Sequence, residues 1–238
     1  MVMENTRRKI IAIENLETAQ YGFANGISTQ LKDLFLEGKH RSLTTEEKDT
    51  IIENASKAYG DFLTALGVDW AADPNSMETP RRVAKAYVND LWKGRYEVMN
   101  DVTSFPSDGY EGCITQTNIT LISMCSHHHL LIQGKVHISY LPGKDGKVIG
   151  LSKLNRIVEH FARRGAIQEQ LTEAIHSAVS TVCEKNIGVA VSIVADHACV
   201  SCRGVGHQDS SMVTTKLSGN YSKPEVRHEF FKAIELAN

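Results

Sequence analysis

The chain has 238 residues, 42% hydrophobic and 23% charged, with 26 Lys and Arg against 28 Asp and Glu for a formal charge of −2. That length holds one large domain, or a compact domain with an appended helical region, and it needs no covalent staples to fold. The near-neutral balance excludes a strongly basic footprint, and no run reaches the roughly 18 apolar residues of a membrane span, so neither nucleic acid nor a membrane is an expected partner and a cytoplasmic protein is expected.

Residues 1–42 are polar and weakly periodic apart from the stretch at 31–39, which predicts a partly flexible arm. Residues 43–110 read as a helical region. Thr44 with Glu47 forms a capping box, Ile51, Ile52, Ala55, Tyr59, Phe62, Leu63 and Leu66 make one apolar stripe, and Gly67 ends the helix. A second helix is expected with Thr79 as N-cap, Pro80 at its first position, and Val83, Ala86, Tyr87 and Leu91 on its apolar face.

From 111 to 238 the period changes. Alternation predicts strands at 118–124, 135–142, 189–196 and 212–219. Between the two pairs lie two helices. One is expected to run from Ser152 as N-cap to Gly165 with Leu154, Ile157, Val158 and Phe161 inward. The other carries Leu171, Ala174, Ile175, Ala178, Val179 and Val182, and a last helix opens at Pro224. The order predicts an α+β fold, an antiparallel four-stranded sheet with two helices on one face.

Five cysteines, odd in number and irregularly spaced, read as reduced thiols available to a metal. Cys125 and His128 form a Cys-x-x-His pair, a modest zinc signal within a run that also holds His127 and His129. His197 and Cys199 supply a second cluster, and on a strand two residues that far apart face one site. Cys202 reads either as a further ligand or as a buried small hydrophobe. Lys153 and Arg156 read on their own as a solvated helix face, and Glu169 as a carboxylate at the positive end of its helix.

Five ordered blocks, SMCSHHHLLIQGKVHISYLP, IGLSKLNRIVEHFARR, IQEQLTEAI, DHACVSCRGV and RHEFFKAI, resemble GTP cyclohydrolase I in order and spacing. The resemblance implies a tunnelling fold, assembly as a homodecamer of two pentamers, and conversion of GTP and water into 7,8-dihydroneopterin triphosphate and formate. It places zinc on Cys125, His128 and Cys199, leaving a fourth tetrahedral position for a water whose pKa zinc lowers to about 7 for attack on purine C8. It makes His127 and His197 the acid/base pair, Gln168 and Glu169 the guanine-recognising pair, and Ser152, Lys153, Arg156 and Arg203 the triphosphate contacts.

Two positions depart from the family pattern. Ser126 stands where the family usually has glutamate, and His129 where it usually has an apolar residue. On an extended segment His129 is expected to point away from its neighbour His128, as a packing or surface residue. The alternatives are a tunnelling-fold purine or pterin binder with other chemistry and a non-catalytic zinc-stabilised scaffold. A regulatory partner is not legible in the sequence.

Overall fold

A computed structural model of the chain describes residues 42–99 and 102–237, so the expected arm lies outside the described residues except for Ser42. The chain divides between Asn89 and Asp90 into two compact units, which places residues 90–110 of the sequence-level helical region with the second.

In the first unit α1 spans Thr45–Ala65. Its capping box is complete: the Glu47 amide donates to Thr44 Oγ1 at 3.3 Å and the Thr44 amide to Glu47 Oε2 at 2.8 Å. Leu66 is the C-cap, and Gly67 leaves the helix at φ +78°, a conformation that costs glycine nothing. The expected stripe holds only in part. Ile52 is buried, but Phe62 and Leu66 are 54% and 63% exposed. The close neighbour of this turn is Trp70, whose Nε1 donates to Thr64 Oγ1 at 3.1 Å and whose ring lies against Gly60.

Helix α2, Thr79–Ala86, starts one residue earlier than expected, with Glu78 as a cap that makes no side-chain bond and Thr79 already helical. Its buried residues are Pro80 and Ala84, and Val88 is buried in the turn that follows, rather than the expected face. The backbone widens into a π-turn at Tyr87–Leu91, which rotates the following side chains.

The second unit begins with a single helical turn, α3, Lys93–Tyr96. Strand β1, Ser104–Pro106, pairs antiparallel with β4, Lys147–Ile149. The main sheet has the order β2-β3-β5-β6, with β2 at Ile114–Met124, β3 at Leu131–Pro142, β5 at Asn186–His197 and β6 at Ser211–Leu217, all antiparallel. Helices α4, Leu151–Ala162, and α5, Gln168–Val182, connect its two halves.

Leu154, Ile157 and Val158 of α4 and Leu171, Ile175 and Val179 of α5 close over Val136, Ile138 and Tyr140 of β3 and Val189, Val191 and Ile193 of β5. This is the main core, and its residues alternate along the strands as period-2 packing requires. The opposite parity, Leu141 and Ala190, packs with Tyr221 and Phe230, so the last helix, Pro224–Leu236, covers the other face at one end of the sheet. The expected α+β fold with two helices on one face is what the chain forms, with this C-terminal helix as an addition.

Helix α4 differs from expectation at both ends. Gly150 is its N-cap and Ser152 is already inside the first turn, while the helix stops at Ala162 and Gly165 follows in the left-handed region at φ +68°.

Candidate active site

Strands β2 and β3 are joined by the turn that carries the histidine run. The Cys125 amide donates to the Leu130 carbonyl at 2.8 Å, and the His129 amide donates to the Cys125 carbonyl at 2.9 Å. His129 closes this loop at φ +52°. The segment is therefore a tight turn, which corrects the extended reading. His129 nevertheless lies outside the metal-ligating group, its ring edge-on to Trp92 at 5.0 Å.

A second correction concerns β5. It ends at His197, and the chain then winds into a short helix, α6, Ala198–Ser201, so His197 and Cys199 do not share a strand face. The winding turns Cys199 toward the hairpin. The Cys125 and Cys199 thiols and a ring nitrogen of His128 all lie within 4.8 Å of one another. Burial, then the neighbouring Cys125, push the Cys199 thiol above its ordinary pKa. Two crowded thiols beside an imidazole are a soft donor set suited to zinc, and a divalent cation reverses the unfavourable thiolate electrostatics. Cys202 is exposed, not a buried hydrophobe, and lies outside this group. Arg203 Nη1 donates to His128 Nε2 at 3.0 Å, which puts its guanidinium beside the cluster. The His127 ring sits 6.3 Å from that of His128, edge to face.

The connection between α4 and α5 runs alongside. Ala166 donates to the Met124 carbonyl at 3.1 Å and bridges to Cys125, delivering Gln168 and Glu169, the first two residues of α5, next to the cluster. Gln168 is 1% exposed. Its Nε2 faces the Ile193 and Met212 carbonyls at 3.2 and 3.1 Å and Thr214 Oγ1 at 3.1 Å, so its Oε1 is the atom turned to His197 Nε2, at 2.7 Å. An oxygen accepts only, so neutral His197 carries its proton on Nε2 and presents the lone pair of Nδ1. Burial lowers the His197 pKa, opposed by the Glu169 and Asp196 carboxylates.

Ser152 and Lys153, in the first turn of α4, are not brought here, and Arg156 lies midway along that helix. Ser123 Oγ donates to the Ala162 carbonyl at 2.7 Å, so the C-terminal end of α4 abuts the cysteine hairpin. The N-terminal end of this 12-residue helix lies roughly 16 Å further along its axis, beside Thr103.

The GTP cyclohydrolase I family description matches residues 55–235. A GTP cyclohydrolase 1 of Aeromonas hydrophila subsp. hydrophila is 39% identical over 215 residues, covering 89% of this chain and 92% of the relative. One of Pseudoalteromonas translucida is 42% identical over 186 residues, 75% of this chain and 96% of its own. One of Escherichia coli O1:K1 is 42% identical over 186 residues, 75% and 80%. The chain belongs to the GTP cyclohydrolase I family.

Within this GTP cyclohydrolase I family member, sequence reasoning missed the positioning part of Gln168. Its side-chain polar atoms are engaged by the sheet and by His197, an arrangement that can hold the histidine ring. No sequence signal marks that link, because it depends on how α5 packs over β5 and β6. Thr214 and Thr172 extend it, their hydroxyls 2.7 Å apart, with Thr172 also donating to the Gln168 carbonyl at 2.8 Å.

Proposed function

We propose that the chain converts GTP and water into 7,8-dihydroneopterin triphosphate and formate, an entry step to folate and pterin synthesis, at a zinc centre held by Cys125, His128 and Cys199. The observation that carries this reading is the convergence of those three donors with His197, Gln168, Glu169 and Arg203 in one place. Those three residues would hold zinc, which when bound would supply a Lewis acid able to activate water for attack on purine C8.

The remaining chemistry falls to the chain. Glu169 accepts from the ring N–H and exocyclic amino group of guanine together, an edge that adenine lacks. Gln168 holds His197 so that Nδ1 takes protons, and the lowered pKa keeps that nitrogen unprotonated near neutral pH. His127 serves as the second acid/base group. Arg203 binds the triphosphate from the metal side. Ser152 and Lys153 in the first turn of α4, and Arg156 midway along it, act in the pocket of a neighbouring chain, so each site is completed across an interface. In this reading the tunnelling-fold catalytic domain takes in the residues from Asp90 onward, with residues 42–89 as the helical region and the arm before them. The assembly is a cytoplasmic homodecamer of two pentamers.

Incubation with GTP followed by oxidation should yield pterin fluorescence, and metal analysis should find one zinc per chain whose chelation abolishes turnover. Tight binding of GTP without fluorescence would instead identify a purine-binding relative, and zinc without either would identify a scaffold.

A further inference from the structure

Trp92 and His129 meet between the cysteine hairpin and the connection that delivers Gln168 and Glu169. The rings stand edge to face, centroids 5.0 Å apart at 80°, the favoured geometry for an aromatic pair. Trp92 is itself fixed. The Arg95 guanidinium lies 4.6 Å from its centroid, and Arg95 Nε donates to the Arg164 carbonyl. The Gly94 amide donates to the Arg163 carbonyl at 2.9 Å, and a Cβ on Gly94 would come 2.1 Å from the His160 carbonyl oxygen. The turn holding Trp92 is thus laid directly on the end of α4. Gly165 makes room for the indole, since a Cβ there would sit 2.8 Å from Trp92 Nε1.

The partner ring belongs to the residue that closes the metal-ligand loop. His129 bonds back to the Cys125 carbonyl in a left-handed conformation that histidine tolerates better than an aliphatic side chain does. Its ring touches Trp92, and Trp92 touches Gly165, three residues before Gln168. One indole therefore contacts both halves of the site: the loop bearing Cys125 and His128, and the connection leading to Gln168 and Glu169.

We infer that His129 is a positioning residue, which through its ring contact with Trp92 locks the hairpin carrying Cys125 and His128 and so slows loss of the metal. This rests on the zinc reading above. A ligand loop that opens more readily sheds its ion faster, because the donors must separate before a chelator can take it.

The test is the rate at which zinc passes from loaded, full-length protein to an excess of a chromophoric chelator. His129→Asn keeps a residue that accepts positive φ but removes the ring, and it should release zinc about three- to tenfold faster, the scale of one aromatic pair. Trp92→Ala should do the same, Trp92→Phe should stay near wild type, and the double variant Trp92→Ala with His129→Asn should be no faster than the faster single. If Trp92→Ala does not fold, the contrast between His129→Asn and Trp92→Phe still decides. His129→Asn releasing zinc at the wild-type rate, even with a lowered melting temperature, would overturn the inference, as would singles whose effects multiply in the double variant. Wild-type protein that takes up no zinc would instead overturn the metal reading itself.

Discussion

Cys199 and His197 stand two residues apart with different partners: the thiol meets Cys125 and His128, and the imidazole meets Gln168. Cys199→Ser should therefore strip the metal. His197→Ala should leave most of it bound while slowing turnover by roughly 10²-fold or more, the scale of a lost general acid/base. Metal analysis beside kinetics checks the division, and equal zinc loss in both variants would refute it. Gln168→Met removes the acceptor that fixes the His197 tautomer, so kcat should fall at least about tenfold, with KM and zinc content little changed, less than losing the base itself. The Cys125, His128 and Cys199 grouping was legible because Cys and His carry their chemistry in their identity. The Gln168–His197 link was not, since it depends on which way a buried amide turns between two strands. Period-2 reasoning also failed at the end of β5, where the backbone leaves the strand for a helical turn at Ala198.

At the scale of elements, β2 shows what a sequence hides. Its pairing with β3 slips between Gln116 and Ile119, with Asn118 at φ +56°. The Asn118 amide donates to His137 Nδ1 at 3.3 Å, and its side chain donates to the Ala237 carbonyl at 2.9 Å, so the bulge ties β3 to the end of the last helix. His137 is 2% exposed, and burial, then Lys135, lower its pKa. An unfolded chain then takes up this proton more readily than the folded one, so the stability contributed by neutral His137 is complete above about pH 6.5 and is lost as pH falls from there toward the folded pKa. Protonation of Nδ1 also removes the acceptor used by Asn118. Between about pH 7.5 and 5.5 the wild-type melting temperature should drop more than that of His137→Gln, which cannot titrate. Parallel curves would clear His137 of the effect. The four long strands were legible from alternation and β-branched content, whereas β1 and β4, at three residues each, are too short to carry a period. The face chosen by the last helix was hidden too, because an apolar stripe says that a helix packs but not against which side of a sheet.

For the whole molecule, the described residues leave a sheet with open edges. Strands β2 and β6 each have a single strand neighbour among the described residues. Along β2 runs a cavity of about 360 Å³ lined by Gln116, Thr117, Asn118, Asn155 and Arg163 among others. Gln116 donates from Nε2 to Asn155 Oδ1 at 2.5 Å, while its buried Oε1 meets no donor within the described residues, an arrangement folded proteins rarely leave standing. On the face away from α4 and α5, Val194 and Val213 pair across β5 and β6 and remain 36% and 61% exposed. Unpaired ladder groups beside uncovered valines are an aggregation liability unless another chain covers them, and identical chains joining edge to edge around a closed ring remove every edge at once. The same closure can carry Ser152 and Lys153, at the end of α4 away from the cysteine hairpin of their own chain, to the cluster of a neighbour. Light scattering should find a large homo-oligomer, with a decamer the expected mass. Lys153→Ala and Cys199→Ser, each inactive alone, should recover activity when co-assembled, because some interfaces then pair an intact phosphate end with an intact metal cluster. A fully active monomer, or mixed oligomers that stay dead, would show that each chain builds its site alone.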